Sequence, residues 1–332
     1  MKTVVLCAAL GAVALALFPP AAARQNAAQA EPPRVLVIEQ TAPSAAPAEP
    51  DGQEKIRTVT LLTERGTVEL AMDDYLTAVV LCEMPPEFEP EALRAQAVAA
   101  RTFACRQMQH GKHENGAVCA DSACCQAWQD EDALRARFGA DFDADWEKAA
   151  EAVTATQDEV LTYDGKLIDA TFFSCSGGRT EAAVAVWGSD VPYLQSVESY
   201  GEQAARRYAS EAEFSAEEFR DKILAAAPDA DLTDEPDGWL GAVSYTEGGG
   251  VDVITIGGAE LTGVQMRAAF ALNSTQFTLE FADGAFHFSV LGYGHRVGMS
   301  QYGANYMAQQ GYGYRIILPY YYRGAQITPL GD

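Results

Sequence analysis

The sequence predicts an α+β fold, with mixed helices and antiparallel strands around a substrate groove, and three observations carry that reading. Leu93, Ala97, Ala100, Ala104 and Met108 recur at three- and four-residue steps behind Pro90, the pattern of one long helix with a buried face. Apolar runs from Val59 to Leu62 and from Val68 to Leu70 flank Glu64-Arg65-Gly66, the pattern of a hairpin. The chain has 332 residues, 48% of them hydrophobic, enough for a large core in one big domain or two modest ones.

Residues 1–24 hold Lys2, fifteen apolar residues from Val4 to Phe18, a Pro-Pro break and Ala21-Ala22-Ala23, the grammar of an export signal. The run is short for a membrane span, which favours cleavage, while an uncleaved membrane anchor stands as the alternative. Either places the body of the protein outside the cytoplasmic membrane, anchored or secreted. Residues 25–54, rich in Ala, Pro, Glu and Gln, read as a flexible linker, and 55–330 as the folded domain. After the first hairpin, Asp73 or Asp74 is expected to cap a short helix leading to Glu83. Later strands are read in VLTYDG, LIDATFFSCS, VDVITIGG, FTLEFADGAFHFSVLG and RIILPYYYRGAQI.

Between Glu198 and Asp237 twelve acidic residues stand against four basic ones, around the helical spacing of FSAEEFRDKILAAA. Residues 198–238 therefore read as a peripheral acidic helical arm. The net charge of −24 argues against nucleic acid or an anionic membrane surface as the partner.

Four groups of residues carry candidate chemistry. Glu83 sits among Cys82, Met84, Pro85 and Pro86, so a packed loop would strip its hydration and raise its pKa toward that of a general acid. His113, Cys119, Cys124 and Cys125 fall within thirteen residues. In an exported protein such cysteines suit disulfides, but a histidine with thiolates is also the donor set of tetrahedral zinc. A structural zinc on His113, Cys119 and Cys125 is preferred, its fourth ligand being Cys124, a residue elsewhere or water. Ser174, Ser176, Gly177 and Gly178 form a small-residue turn after a strand, either a plain turn or a place where a polar ligand approaches backbone. His295, Gln301 and Tyr302 stand among glycines ahead of a tyrosine cluster, a set suited to stacking on and bonding sugar rings.

Three of these segments, EMPPEFEPEALRAQAVAARTFA, FFSCSGGRTE with VWG and PYL downstream, and GHRVGMSQYGANYMAQQGYGYRIIL, resemble in order the motifs of the stage II sporulation protein D family, the SpoIID/LytB domain family. The resemblance runs from about Thr58 to Ile327. It implies a peptidoglycan lytic transglycosylase that cuts the MurNAc–GlcNAc bond and leaves a 1,6-anhydro-muramyl end, with Glu83 as the catalytic acid. It implies that Arg101 lines the groove or orients Glu83, and that Ser174, Ser176, His295, Gln301 and Tyr302 contact sugar. It implies a role in sporulation, thinning the septal cell wall during engulfment beside an amidase (stage II sporulation protein P) and a membrane scaffold (stage II sporulation protein M). The amidase would strip stem peptides before the glycan strand is cut. LytB-type relatives imply an alternative, a non-catalytic enhancer of a partner amidase. One departure from the motif is Arg296, where the family carries glycine, and arginine resists a positive φ.

Overall fold

The computed structural model describes residues 57–330, Lys112 excepted, and its fold is α+β. The signal or anchor of 1–24 and the linker of 25–54 lie outside the described residues. Among the described residues no helix is long and apolar enough to cross a membrane.

The chain opens with the expected hairpin, β1 (Thr58–Thr63) and β2 (Gly66–Ala71), antiparallel and closed at Thr63 and Gly66. Gly66 takes the turn at φ +118, which a side chain would resist. Helix α1 (Met72–Glu83) follows without a break, so Asp73 and Asp74 lie in its first turn and Ala71 occupies the N-cap that an aspartate was expected to fill. Pro85 ends the helix by forcing Met84 into extended backbone, and Glu83 becomes its last residue.

Helix α2 (Pro90–His110) differs from the one-faced helix of the sequence. From Ala92 to Cys105 every residue but Arg94 is buried, because alanines make the rod thin enough for α1 and later helices to surround it. Strand β3 (Val118–Cys119) then returns parallel to β1. Two helices without a marked signal in the sequence follow: α4 (Phe142–Ala155) packs against α1 and α2, and α3 (Glu131–Phe138) packs against α4. Strands β4 (Glu159–Tyr163) and β5 (Lys166–Leu167) close a short hairpin, and of LIDATFFSCS only Leu167, the end of β5, and β6 (Phe172–Phe173) are strand, followed by α5 (Ala183–Trp187).

The acidic arm is larger than 198–238. Strand β7 (Ala209–Ser215), helix α6 (Ala216–Ala226), strands β8 (Leu240–Tyr245), β9 (Val251–Ile256) and β10 (Ala259–Thr262), helix α7 (Gly263–Phe270) and the hairpin β11 (Gln276–Ala282) and β12 (Ala285–Leu291) enclose a second core of their own. Phe219 of α6 stacks on Phe286 of β12 with ring centroids 3.7 Å apart, so the arm's helix cannot bury its apolar face without the later strands. Fully burying one such side chain contributes about 1.5–3 kcal/mol.

The chain then rejoins the first core through β13 (Met299–Ser300), parallel to β6, and helices α8 (Gln301–Gln309) and α9 (Tyr314–Tyr321). The expected final strand is therefore mostly helix. Ile317, Leu318 and Tyr321 are buried at helical spacing, and only β14 (Gln326–Pro329), paired with β4, is extended.

Candidate active site

Glu83, Gln301 and His295 line one cleft of about 980 Å³, together with Ser174, Phe173, Ser122, Ala123 and residues 125–127. A larger cavity of about 1200 Å³, beside Trp128 and Trp146, holds none of Glu83, His295 or Gln301. The end of α1 presents Glu83 there. Its Oε1 accepts the Ala127 backbone N–H at 2.7 Å, and the Gln301 amide lies 3.5 Å from Oε2. Burial raises the Glu83 pKa, and the bonds from Ala127 and Gln301 only partly offset it. The last turn of a helix adds a negative end nearby, which also disfavours the carboxylate. Glu83 is the one carboxylic acid among the described residues that line this cleft.

His295 is wedged between the Phe173 ring at 5.7 Å and the Trp187 ring at 5.5 Å, and its Nδ1 accepts the Val297 N–H. Desolvation, with the Arg267 charge second, lowers its pKa to about 4, so the ring is a neutral Nε2–H tautomer at physiological pH. Trp187 leaves 45% of its surface exposed, an open aromatic face that the VWG segment contained but that the sequence reading did not single out.

Four of the substrate-facing assignments need separating. Ser174 and Gln301 line the cleft with His295. Tyr302 does not, since consecutive helical residues diverge by about 100° and its ring instead meets Phe88 edge-on at 4.9 Å. Ser176 is fully buried, because Glu202 already fills the Ser-Gly-Gly turn. Glu202 Oε2 accepts from Ser176 N and Oγ and from the N–H groups of Gly177 and Gly178. The turn is an anion-binding nest, and its anion is internal.

Arg101 neither lines the cleft nor reaches Glu83. It is 2% exposed, and its guanidinium donates to Thr156 O at 2.6 Å, Val153 O at 3.0 Å and Glu159 O at 3.2 Å, closing the C-terminal end of α4. The Thr156 and Val153 carbonyls lie where α4 runs out of its own donors, and Glu159 opens β4. Arg296 does adopt the left-handed region, at φ +66. Its fully buried side chain holds it there by donating to Ser176 O, Arg179 O and Gly248 O and pairing with Glu181 at 3.2 Å.

His113, Cys119, Cys124 and Cys125 converge, one donor atom from each lying within 4.8 Å of the others. Cys124 Sγ is 3.3 Å from His113 Nε2, and none of the six cysteines among the described residues forms a disulfide. Burial pushes the Cys125 thiol up to about 12, with the neighbouring Cys119 and Cys124 raising it further. One imidazole and three crowded thiols are a donor set that fits zinc. Two residues further along the same loop, Ala127 holds Glu83.

The family described as "Stage II sporulation protein" matches residues 63–163. Over 270 residues the chain is 37% identical to a stage II sporulation protein D of Bacillus amyloliquefaciens, covering 80% of this chain and 77% of that protein. The chain belongs to the stage II sporulation protein D family. The stage II sporulation protein D of Bacillus subtilis strain 168 is 36% identical over 262 residues, covering 78% of this chain and 75% of the relative. An amidase enhancer of the same strain is 25% identical over 311 residues but is covered over only 40% of its own length. For a member of this sporulation family a cell-wall-related role follows, and Glu83, Ser174, Gln301 and His295 are where its three motifs meet.

Proposed function

We propose that this protein is a lytic transglycosylase that cleaves MurNAc–GlcNAc bonds in peptidoglycan strands and forms 1,6-anhydroMurNAc. One observation carries the reading: a desolvated carboxylic acid, Glu83, faces the cleft with no second carboxylate among the described lining residues. Hydrolysing glycosidases use two carboxyl groups, one as acid and one as base or nucleophile. A single carboxyl suffices when the sugar supplies its own nucleophile.

In this mechanism Glu83 starts protonated. It gives its proton to the glycosidic oxygen as the C1–O bond breaks and the leaving strand departs with a new hydroxyl. The resulting carboxylate then takes the proton of the MurNAc C6 hydroxyl as that oxygen bonds to C1. The acid is regenerated without water. The Ala127 N–H occupies Oε1, which leaves Oε2 to carry the proton. Phe173, Trp187 and neutral His295 supply apolar faces for sugar rings.

We propose further that His113, Cys119, Cys124 and Cys125 hold one structural zinc, which would fix the loop that carries the Ala127 donor and supplies Ser122, Ala123 and Gln126 to the cleft wall. The protein would act on the extracytoplasmic side during engulfment, on strands denuded by an amidase such as stage II sporulation protein P, in a complex with stage II sporulation protein M.

The likeness to an amidase enhancer favours a second reading, a non-catalytic wall binder that stimulates a partner amidase. Incubation of the purified protein with denuded wall separates the two. Release of anhydro-muropeptides by wild type and none by Glu83→Gln supports the transglycosylase. No release by wild type, with amidase stimulation intact in Glu83→Gln, supports the enhancer.

A further inference from the structure

Helix α7 belongs to the acidic arm, yet one of its faces forms part of the cleft. A Thr262–Gln265 capping box starts the helix, and Gly263, Met266 and Phe270 turn into the second core. The face displaced from these, Val264, Arg267, Ala268 and Ala271, lines the same cleft as Glu83. That spacing is one helical stripe. It is small and apolar except for a single guanidinium.

Arg267 is the one Lys or Arg among the described residues that line the cleft. Its Nε donates to Leu272 O at 3.3 Å, which ties the stem back to its own helix end. Among the described residues the other two guanidinium nitrogens have no carboxylate or carbonyl acceptor, although the chain carries 47 acidic residues against 23 Lys and Arg. A half-buried cation without a counter-ion in so acidic a protein is an open site for an anion. Its charge also reaches His295, whose protonation it opposes.

We propose that Arg267 forms a carboxylate-recognising subsite that reads the free lactyl carboxylate of peptide-stripped MurNAc. The inference rests on the glycan-cleaving reading of this cleft and deepens it. In a peptide-bearing MurNAc the lactyl group is an amide and carries no charge at that atom; removal of the peptide exposes a carboxylate there. Discrimination for stripped strands then follows from one charge pair, in a protein whose net charge of −24 would otherwise repel an anionic strand.

The test measures binding rather than turnover, by calorimetry on full-length Glu83→Gln protein. Three tetrasaccharides are compared: denuded (GlcNAc–MurNAc)₂, the same sugar with its lactyl groups converted to carboxamides, and chitotetraose. The denuded sugar is expected to bind about tenfold tighter than its carboxamide, a difference of about 1.4 kcal/mol that shrinks with added salt. Arg267→Met is expected to remove that preference by weakening the denuded sugar alone. The comparison of denuded with carboxamide sugar on the Glu83→Gln protein needs no Arg267 variant, so a misfolded Arg267→Met protein cannot mask that outcome. Equal affinity for denuded and carboxamide sugars, or an equal loss for all three sugars in Arg267→Met, overturns the subsite while leaving the cleft a glycan site. Failure of all three sugars to bind overturns the glycan reading and the subsite together.

Discussion

Replacing Arg101 by methionine distinguishes a structural guanidinium from one that serves the cleft. The side chain is 2% exposed and donates to the carbonyls of Thr156, Val153 and Glu159. Methionine fills similar volume but offers no donor, so two acceptors at the end of α4 and one at the start of β4 lose a charged partner in a dry environment. Charge-assisted bonds contribute about 1.5–3 kcal/mol each. Part of that total is recovered, because a cation no longer has to be stripped of water on folding. A net loss of about 3–4 kcal/mol remains, in the range seen when one partner of a buried charged contact is removed. The unfolding midpoint should fall by on the order of 10 °C, measured by circular dichroism or calorimetry. Specific activity of the folded fraction, assayed well below that midpoint, should stay within about threefold of wild type. A variant that unfolds like wild type but has lost wall cleavage would refute this reasoning and return Arg101 to the groove.

Arg296→Met should cost about 3–5 kcal/mol in urea unfolding because it strands the buried Glu181 carboxylate. Arg296→Met combined with Glu181→Gln should recover part of that loss, and strictly additive effects would show that the pair is uncoupled. His295, with its pKa lowered to about 4, binds its proton in the unfolded chain first. Its contribution to stability is full above about pH 6.5 and is lost as pH falls toward 4, about 3 kcal/mol that should be missing from the pH–stability curve of His295→Asn. For Glu83 the sign reverses. Its raised folded pKa means that stability falls as pH rises through the carboxyl range, so Glu83→Gln should raise the thermal midpoint at pH 8 more than at pH 4. Elemental analysis should find one zinc per chain, and chelation should lower both the unfolding midpoint and wall cleavage; a metal-free protein of unchanged stability would contradict the assignment.

Much of the first core was legible because local signals and tertiary packing agree there. Pro90 and the alanine spacing mark α2, the turn at Gly66 marks the first hairpin, and Glu83 stands out by its apolar neighbours. The cysteine cluster was legible from spacing alone. Misreadings arose where identical residue types serve either fold or site. An arginine on a helix gives no hint that it will cap another helix 52–58 residues later, as Arg101 does. The Ser-Gly-Gly turn advertises anion binding, but nothing local reveals that Glu202 supplies the anion. The aromatic run at Tyr314–Tyr321 has strand-like composition, and only packing against α2 and α8 makes it helical. Arg267 passed unnoticed because its meaning depends on which face of α7 the second core takes. The Thr262–Gln265 capping box was the available signal: it fixes the start of the helix and hence the stripe on which Arg267 lies.

The products that Glu83 makes distinguish a lone acid/base from a hydrolytic pair. Denuded peptidoglycan digested by the wild-type protein and by Glu83→Gln, with both sets of fragments resolved by mass spectrometry, is the decisive measurement. Wild type should release fragments ending in 1,6-anhydroMurNAc, with a rate that declines as pH rises through the elevated Glu83 pKa, and Glu83→Gln should release none while still binding the strands. Fragments with hydrated reducing ends, or anhydro products from Glu83→Gln at the wild-type rate, would contradict a lone carboxyl acting as both acid and base.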